Sequence, residues 1–255
     1  MTDEAVLTEE RDGVLVISIN RPEARNAING DVARGIAAAL DRLDGEDDLR
    51  VGVLTGSGGF FSSGMDLKGF LSGDVPVVEG RGLGGLTERP SRKPLIAAVE
   101  GYAVAGGFEL VLACDLVVAG EGSRFGVPEV KRGLVAGAGA AIHLPQRIPH
   151  AIALELLLTG ETIEAPRAAS LGLVNRVVPD GTAVDGALEL ARVIAANGPL
   201  AVAVTKEIAL SAPDWRFAER WQKQAELMGR VFVSEDAQEG ARAFAEKRDP
   251  VWKGR

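Results

Sequence analysis

A single carboxylate stands inside an apolar stretch of this chain. The segment GYAVAGGFEL, residues 101–110, carries Glu109 next to its end, and the apolar run continues to Cys114. An unpaired buried charge is costly, so such a residue is normally paired, solvated in a cleft or used in chemistry. A helix that began near Gly106 would offer free N–H groups in its first turn, where the helix dipole is positive. Such groups suit an oxyanion, and Glu109 would lie one turn along on the same face.

The segment FFSSGMDLKGF, residues 60–70, offers a second set of backbone donors. Gly64 and its small neighbours follow a predicted strand, and the Met65 N–H is a candidate donor to the same oxygen. Because a main-chain group would do this work, the identity of the Met65 side chain is not critical. Asp66 is most simply interpreted as the N-cap of a following helix.

A second candidate acid or base lies in FGVPEVKRG, residues 125–133, where Pro128 fixes the backbone before Glu129. Taken alone, Glu129 is more simply interpreted as a surface partner of Lys131 or Arg132. Taken together with Glu109 and two donor loops, it is favoured as the second member of an acid/base pair.

The elements that must position these residues change in character along the chain. Short apolar, β-branched runs predict strands at 14–19, 51–55, 95–99, 116–119 and 174–178, and helical spacing predicts a helix over 31–43. Residues 71–94 show no period and are predicted to form a long mobile loop. From about residue 182 the pattern is helical, with helices predicted at 183–196, from Pro199, at 215–233 and at 235–245. We therefore expect an α/β core over residues 1–195 and a helical module over 196–255.

Other motifs carry little weight. Gly80-x-Gly82-x-x-Gly85 matches a dinucleotide fingerprint by letter, but it lacks the strand–turn–helix context and is better interpreted as a loop. No serine lies in a Gly-x-Ser-x-Gly motif. His143 and His150 have no acidic partner at metal spacing and are predicted to be structural. We expect no metal site.

The composition narrows the classes of partner. The 255 residues carry a formal charge of −8, which disfavours nucleic acid, although the tail EKRDPVWKGR is locally basic. The acidic start MTDEAVLTEE does not resemble a secretory signal, and no apolar stretch reaches the length of a membrane helix. One cysteine permits no internal disulfide and fits a reducing compartment. We expect a cytoplasmic location.

Together these motifs resemble the crotonase (enoyl-CoA hydratase/isomerase) family. The resemblance rests on residues 54–67 and 101–147 and extends from NRPEARNAI, residues 20–28, to EGARAFAEKRDP, residues 239–250. It implies an α/β fold, a spiral of β-β-α turns with a helical C-terminal trimerisation module. It also implies an acyl-CoA thioester substrate, no cofactor beyond that CoA, and a homotrimer or a dimer of trimers.

The resemblance also implies a role for each candidate residue. The backbone N–H groups of Met65 and Gly106 would hold the thioester oxygen, and Glu109 and Glu129 would act as the acid/base pair, with neither assigned as the acid. The residues implied in contact with substrate or CoA are Ala24, Arg25, Ser63, Asp66, Leu67, Phe244 and Lys247. Of these, Phe244 and Lys247 would reach the CoA of a neighbouring subunit.

Two departures from the family pattern and a second resemblance leave alternatives open for the reaction. Ala105 stands where the family often has glycine, and residues 136–140 read AGAGA where many hydratases have a different glycine-rich run. The segments FSSGMDLK and PEVKRGLV also resemble carnitinyl-CoA-dehydratase-like members. Two glutamates favour reversible hydration of a 2-enoyl-CoA. The alternatives are another CoA-thioester reaction, such as isomerisation, dehydration or decarboxylation, or a non-catalytic acyl-CoA-binding protein.

Overall fold

The structure is a computed structural model that describes residues 4–255. Its strands are β1 Val6–Arg11, β2 Val14–Ile19, β3 Val51–Gly56, β4 Val77–Val78, β5 Gly82–Leu83, β6 Leu95–Val99, β7 Tyr102–Val104, β8 Leu116–Gly120, β9 Arg124–Gly126, β10 Thr162–Glu164 and β11 Arg176–Val178. Its α-helices are α1 Gly30–Gly45, α2 Leu67–Leu71, α3 Gly106–Ala113, α4 Ala140–Arg147, α5 His150–Thr159, α6 Ala165–Ser170, α7 Ala183–Ala195, α8 Pro199–Ser211, α9 Arg220–Phe232 and α10 Glu235–Glu246. Short 3-10 helices lie at Pro22–Ala24, Pro128–Arg132, Ala212–Asp214 and Phe217–Glu219.

A six-stranded sheet in the order β1-β2-β3-β6-β8-β11 forms the centre of the molecule. Only the β1–β2 pair is antiparallel, and the other pairs are parallel. Strands covered on both faces are apolar at every position rather than alternately, as VLVISI in β2 nearly is. One face packs against α7 through small side chains such as Ala187 and Ala191, and the other packs against α1 and α3.

A small sheet in the order β10-β9-β7 lies at the carboxyl end of β6, beside the candidate site. Its strands have three residues each, and β7 pairs in parallel with β9. Ser62 forms an isolated parallel bridge with Ala103 of β7, and Met65 forms another with Ile28. These two bridges fix residues 62–66 between the segment that precedes α1 and the segment that precedes α3.

Most of the predicted elements are confirmed. The strands at 14–19 and 95–99 have the predicted bounds, and those at 51–55 and 116–119 each gain one residue. The helix over 31–43 extends to Gly30–Gly45. The fifth strand is shorter than predicted, because the Asn175 side chain accepts a hydrogen bond from the Val117 N–H before Arg176 begins the strand. Residues 215–233 form a 3-10 helix and α9 rather than one helix.

The prediction of a long mobile loop at 71–94 is wrong. This segment holds the β4–β5 hairpin, and residues 81–86 are buried. Leu83 and Leu86 belong to the main core. Gly85, at φ +69°, lies against the backbone of α1, where a side chain would collide with Ala33 and Ala37. The segment 71–94 therefore packs against the core through glycine-rich turns, although its sequence shows no hydrophobic periodicity.

The last three helices form the end of the chain. Helix α9 has no buried residue within the single chain, whereas α8 is tied to the sheet by an ion pair of 2.6 Å between Lys206 Nζ and Asp115 Oδ2. The Trp252 indole N–H donates to the Ala196 carbonyl, which brings the tail back to the C-terminal end of α7. A domain boundary at 195/196 stays a prediction.

Within residues 4–255 no single helix combines the length and apolarity needed to cross a membrane; α7 together with 199–214 does so only as a pair bent by 106°.

Candidate active site

The first donor group lies at the start of α3. Ala105 precedes the helix with φ 52° and ψ −131°, and its own N–H donates to the Gly126 carbonyl of β9. Its carbonyl accepts the N–H groups of Phe108 and Glu109. The Gly106 N–H is in the first helical position and donates to no acceptor within the described residues. The predicted helix start at Gly106 is confirmed.

The second donor is brought to the first by the parallel bridge at Met65. This bridge uses the Gly64 carbonyl and the Asp66 N–H, both bonded to Ile28, so the Met65 N–H lies on the other side of the segment. Within residues 4–255 it has no acceptor. A Cβ on Gly106 would lie 3.4 Å from the Met65 nitrogen, and a Cβ on Gly64 would lie 3.0 Å from the Gly106 nitrogen. Two free amides are therefore neighbours, and glycine at 64 permits their approach.

Glu109 is buried, with 4% of its surface exposed. Its Oε1 atom accepts hydrogen bonds from the Ala138 N–H at 2.7 Å and the Ala140 N–H at 3.1 Å. Ala140 is the first residue of α4, so the carboxylate lies at a helix N-terminus. Burial nevertheless raises the pKa of Glu109 above its ordinary value; the two N–H groups oppose this shift, and the nearby Glu129 charge adds to it.

Glu129 occupies the first turn of the 3-10 helix Pro128–Arg132 and is half-buried. Its Oε2 atom is buried and accepts no hydrogen bond from the residues that the structure describes. Burial raises the pKa of Glu129, against a smaller lowering by its own backbone N–H and by Arg132. A buried carboxylate oxygen without a partner is unusual in a folded protein and indicates a group kept for another molecule.

Folding brings Glu129 and Glu109 together although 20 positions separate them. Their charges interact, which is the reason that Glu129 raises the pKa of Glu109. The simpler interpretation of Glu129 as a surface ion pair is wrong for Lys131, whose ammonium bonds Glu161 at 2.6 Å. Two carboxyl groups with raised pKa values beside free backbone donors can exchange protons with a bound water.

Asp66 has the capping role expected for it. Its Oδ1 atom accepts the N–H groups of Lys68 and Gly69 at the start of α2, and its Oδ2 atom pairs with Arg21 at 3.0 Å. Together these contacts lower the pKa of Asp66, the Gly69 N–H most of all. Leu67, the next residue, is 46% exposed. Contacts of either residue with substrate stay a prediction.

An apolar cleft of about 410 Å³ lies beside the donor segment. It is lined by Arg25, Phe60, Ser63, Tyr102 and Val104, so two of the residues predicted to contact CoA face one cavity. Ala24 ends the 3-10 helix that precedes Arg25, and the Ser63 N–H donates to the Arg25 carbonyl. The rings of Phe60 and Tyr102 stack with centroids 6.3 Å apart.

The remaining predicted contacts lie on the C-terminal helix. Phe244 is 88% exposed on α10, and Lys247 ends that helix with φ 54°. No hydrogen bond within the described residues joins either of them to the candidate site. A cavity of about 560 Å³ between α8 and residues 90–94 also contains neither glutamate. A contact with the CoA of a neighbouring subunit stays a prediction.

Two features of the site were missing from the sequence predictions. The N–H groups of Ala138 and Ala140 hold Glu109, although the sequence marks residues 136–140 only as a departure from the glycine-rich run of many hydratases. Gly139 before an amphipathic stretch is the one available signal for this helix start. Tyr102 and Phe60 line the cleft, and nothing in their spacing indicated it.

Comparisons with known proteins identify the family of the chain. The model of the enoyl-CoA hydratase/isomerase family matches residues 9–255. An enoyl-CoA hydratase of Mycobacterium tuberculosis is 43% identical over 98% of this chain and 96% of its own. A carnitinyl-CoA dehydratase of Salmonella enteritidis is 42% identical over 95% of each chain.

Solved structures give the same result. The crystal structure of an enoyl-CoA hydratase from Mycobacterium tuberculosis is 57% identical, with a TM-score of 0.98 over 99% of this chain and 100% of that one. A carnitinyl-CoA hydratase from Mycobacterium avium is 44% identical, with a TM-score of 0.80 over 100% of both chains. The fold is therefore the crotonase fold. The chain belongs to the enoyl-CoA hydratase/isomerase family and is an enzyme of that family.

Proposed function

We propose that this enzyme catalyses the reversible hydration of a 2-enoyl-CoA thioester to a 3-hydroxyacyl-CoA. The thioester oxygen accepts hydrogen bonds from the Met65 and Gly106 N–H groups, and Glu109 and Glu129 hold one water above the Cα–Cβ bond. The water oxygen adds to Cβ, one carboxylate takes the water proton, and the other carboxylic acid gives a proton to Cα. No metal or further cofactor is required for these steps.

The observation that carries this proposal is that the buried Glu109 and the half-buried Glu129 lie close together, on the elements that follow two free backbone amides. Negative charge develops on the thioester oxygen as water adds, and one donor aimed at such an oxygen is worth about 3 kcal/mol. A positioned acid or base adds a factor of about 10² to 10⁴. Neither the two amides nor the Glu129 Oε2 atom has a hydrogen-bond partner within residues 4–255, which leaves all three available to a substrate.

The relatives bear names for two directions of the same chemistry. Relatives similar to this chain are named enoyl-CoA hydratase, carnitinyl-CoA dehydratase and carnitinyl-CoA hydratase. All three names describe gain or loss of water, whereas an isomerase moves a proton without water. Two carboxyl groups at the site favour a hydro-lyase over an isomerase.

Product mass separates the candidate reactions. The enzyme is mixed with 2-enoyl-CoA esters of short, medium, long and aromatic acyl groups, and the products are weighed by mass spectrometry. Hydration adds one water to the ester and removes the absorbance of the conjugated thioester. A product of unchanged mass with a displaced double bond would identify an isomerase, and binding without turnover across the panel would identify a binding protein.

The CoA and assembly assignments complete the proposal. The cleft beside Arg25 and Ser63 adjoins the donor segment, so we assign it to the CoA part of the substrate, together with Ala24, Asp66 and Leu67. Phe244 and Lys247 are assigned to the CoA of a neighbouring subunit in a homotrimer or dimer of trimers, built through the C-terminal helices. We also propose that the enzyme is cytoplasmic and acts in fatty acid metabolism.

A further inference from the structure

Arg132 is a cation beside the candidate active site that the proposed reaction does not use. Glu129 and Arg132 are three residues apart in the 3-10 helix Pro128–Arg132. Side chains three residues apart in such a helix lie one above the other on the same face. Arg132 is exposed, and among the described residues its guanidinium forms neither an ion pair nor a hydrogen bond.

Lys131 differs from Arg132 in its surroundings. It lies on another face of the same 3-10 helix, and its ammonium is held at 2.6 Å by Glu161 of the segment before β10. The two neighbouring cations therefore have different environments. One is neutralised by a surface carboxylate, and the other shares a face with a proposed catalytic carboxyl group.

The order of groups along the substrate decides what would approach Arg132. In the proposed pose CoA lies in the cleft beside Arg25, the thioester oxygen lies at Met65 and Gly106, and the Cα–Cβ bond lies between the glutamates. The remainder of the acyl group continues past Glu129, on the side away from CoA. Leu134 and Val135, which follow the 3-10 helix in the chain, are exposed apolar side chains, and Arg132 adds a positive charge to this segment.

We infer that Arg132 is a specificity-determining residue that selects 2-enoyl-CoA esters whose acyl group ends in a carboxylate over esters whose acyl group ends in a quaternary ammonium. This inference rests on the proposed function. Guanidinium binds carboxylate through paired N–H donors, whereas it repels a trimethylammonium group, which is normally bound by aromatic rings. Some relatives are named for a carnitinyl substrate, whose acyl group carries a quaternary ammonium, and others are named simply enoyl-CoA hydratase. Selection against a quaternary ammonium would separate this enzyme from the carnitinyl relatives.

The test uses three short 2-enoyl-CoA esters that differ only at the end of the acyl chain: a methyl group, a carboxylate or a trimethylammonium group. The ratio of kcat/KM for the carboxylate ester to that for the ammonium ester is measured in the wild type, in Arg132→Gln and in Lys131→Gln. Both variants remove one positive charge from the same 3-10 helix, and thermal melting checks the folding of each.

We expect Arg132→Gln to lower this ratio about five- to tenfold, the size of a unit charge acting near a protein surface. Arg132 also lowers the pKa of Glu129, but that effect is common to all three esters and cancels in the ratio. Lys131→Gln should leave the ratio within twofold of the wild type, and high salt should shrink the effect of Arg132. An unchanged ratio in Arg132→Gln would overturn the inference, as would an equal loss for all three esters, which would place Arg132 on the common CoA part. Failure of the wild type to hydrate any ester would instead contradict the proposed function.

Discussion

At the scale of single residues, the two glutamates are held where ionisation is unfavourable. Burial is the largest cause of the raised pKa of each, and backbone N–H groups offset only part of it. A carboxyl group whose pKa is raised on folding contributes to the stability of the fold when the pH is below its unfolded-state pKa of 4.5. That contribution is lost as the pH rises through the pKa of the group in the folded state. The site therefore costs stability at neutral pH.

Substitution of Glu129 tests this cost. Glu129→Gln is uncharged at every pH, so we expect it to melt about 2 °C higher than the wild type at pH 7.5, equivalent to about 1 kcal/mol for a chain of this length. The gain should shrink as the pH falls towards 4.5, because the raised pKa of Glu129 makes its carboxyl group increasingly protonated in the wild type. Melting curves at equal protein concentration measure it, with Glu189→Gln as the control, because Glu189 is exposed on α7 and forms no ion pair among the described residues. A variant that melts lower than the wild type at pH 7.5 would refute the account.

At the scale of elements, the start of α3 depends on an unusual backbone conformation. Ala105 has φ 52° and ψ −131°, a region that glycine adopts far more readily than alanine. The conformation is imposed by hydrogen bonds on both sides of Ala105, to Gly126 and to the first turn of the helix. This turn presents the Gly106 N–H towards Met65.

Glycine at this position relieves the strain. Ala105→Gly removes about 1–3 kcal/mol of backbone strain and adds about 1 kcal/mol of unfolded-state entropy, so we expect unchanged or slightly higher thermal stability. Ala103→Gly is the matched control, because Ala103 is buried in β7 without a positive φ. That control should lose about 1 kcal/mol or more. Equal losses in the two variants would show that Ala105 is not strained.

The elements also differ in how far the sequence predicts them. The inner strands were predictable because burial on both faces makes them short, continuous apolar runs, as in LIAAV of β6. The three-residue strands β7, β9 and β10 are too short to show a period, and β1 is half-exposed and carries VLTEER. Helix α4 contains Pro145 beyond its first turn, where the missing N–H removes a helical hydrogen bond, so the sequence argues against this helix.

Within the site, the residue types were predictable but their supports were not. Glu109 drew attention because a charge in an apolar run needs a reason, and Gly106 because glycines at a helix start leave N–H groups free. The contacts of the Glu109 carboxylate with Ala138 and Ala140 cross 29 and 31 positions, and each alanine contributes only its backbone N–H. Backbone donors leave no trace in residue type, so only the fold reveals them.

At the scale of the whole molecule, the single chain leaves many large apolar side chains uncovered. Phe217, Trp221, Phe232 and Val233, in and around α9, are 71–80% exposed. Exposed apolar surface of this kind marks an interface. The proposed trimer would cover it and would bring α10 of one subunit towards the CoA of another.

Sedimentation measures this assembly. We expect the wild type to sediment at three or six times the chain mass of 26.7 kDa, and Trp221→Glu to shift the distribution towards smaller species. Trp221 is 74% exposed within the single chain, so the variant should keep its helical content by circular dichroism. Sedimentation of the wild type as a single chain would contradict the assembly.

The most direct test of the central claim is a double-mutant cycle on the two glutamates. Initial hydration rates are measured for the wild type, Glu109→Gln, Glu129→Gln and the double variant, after confirming that each binds a non-reactive acyl-CoA. If both carboxyl groups act on one water, each single variant loses about 10²- to 10⁴-fold in kcat, and the double variant is no more than a few-fold slower than the slower single. Losses that multiply in the double variant, or near-full activity in either single variant, would contradict the account.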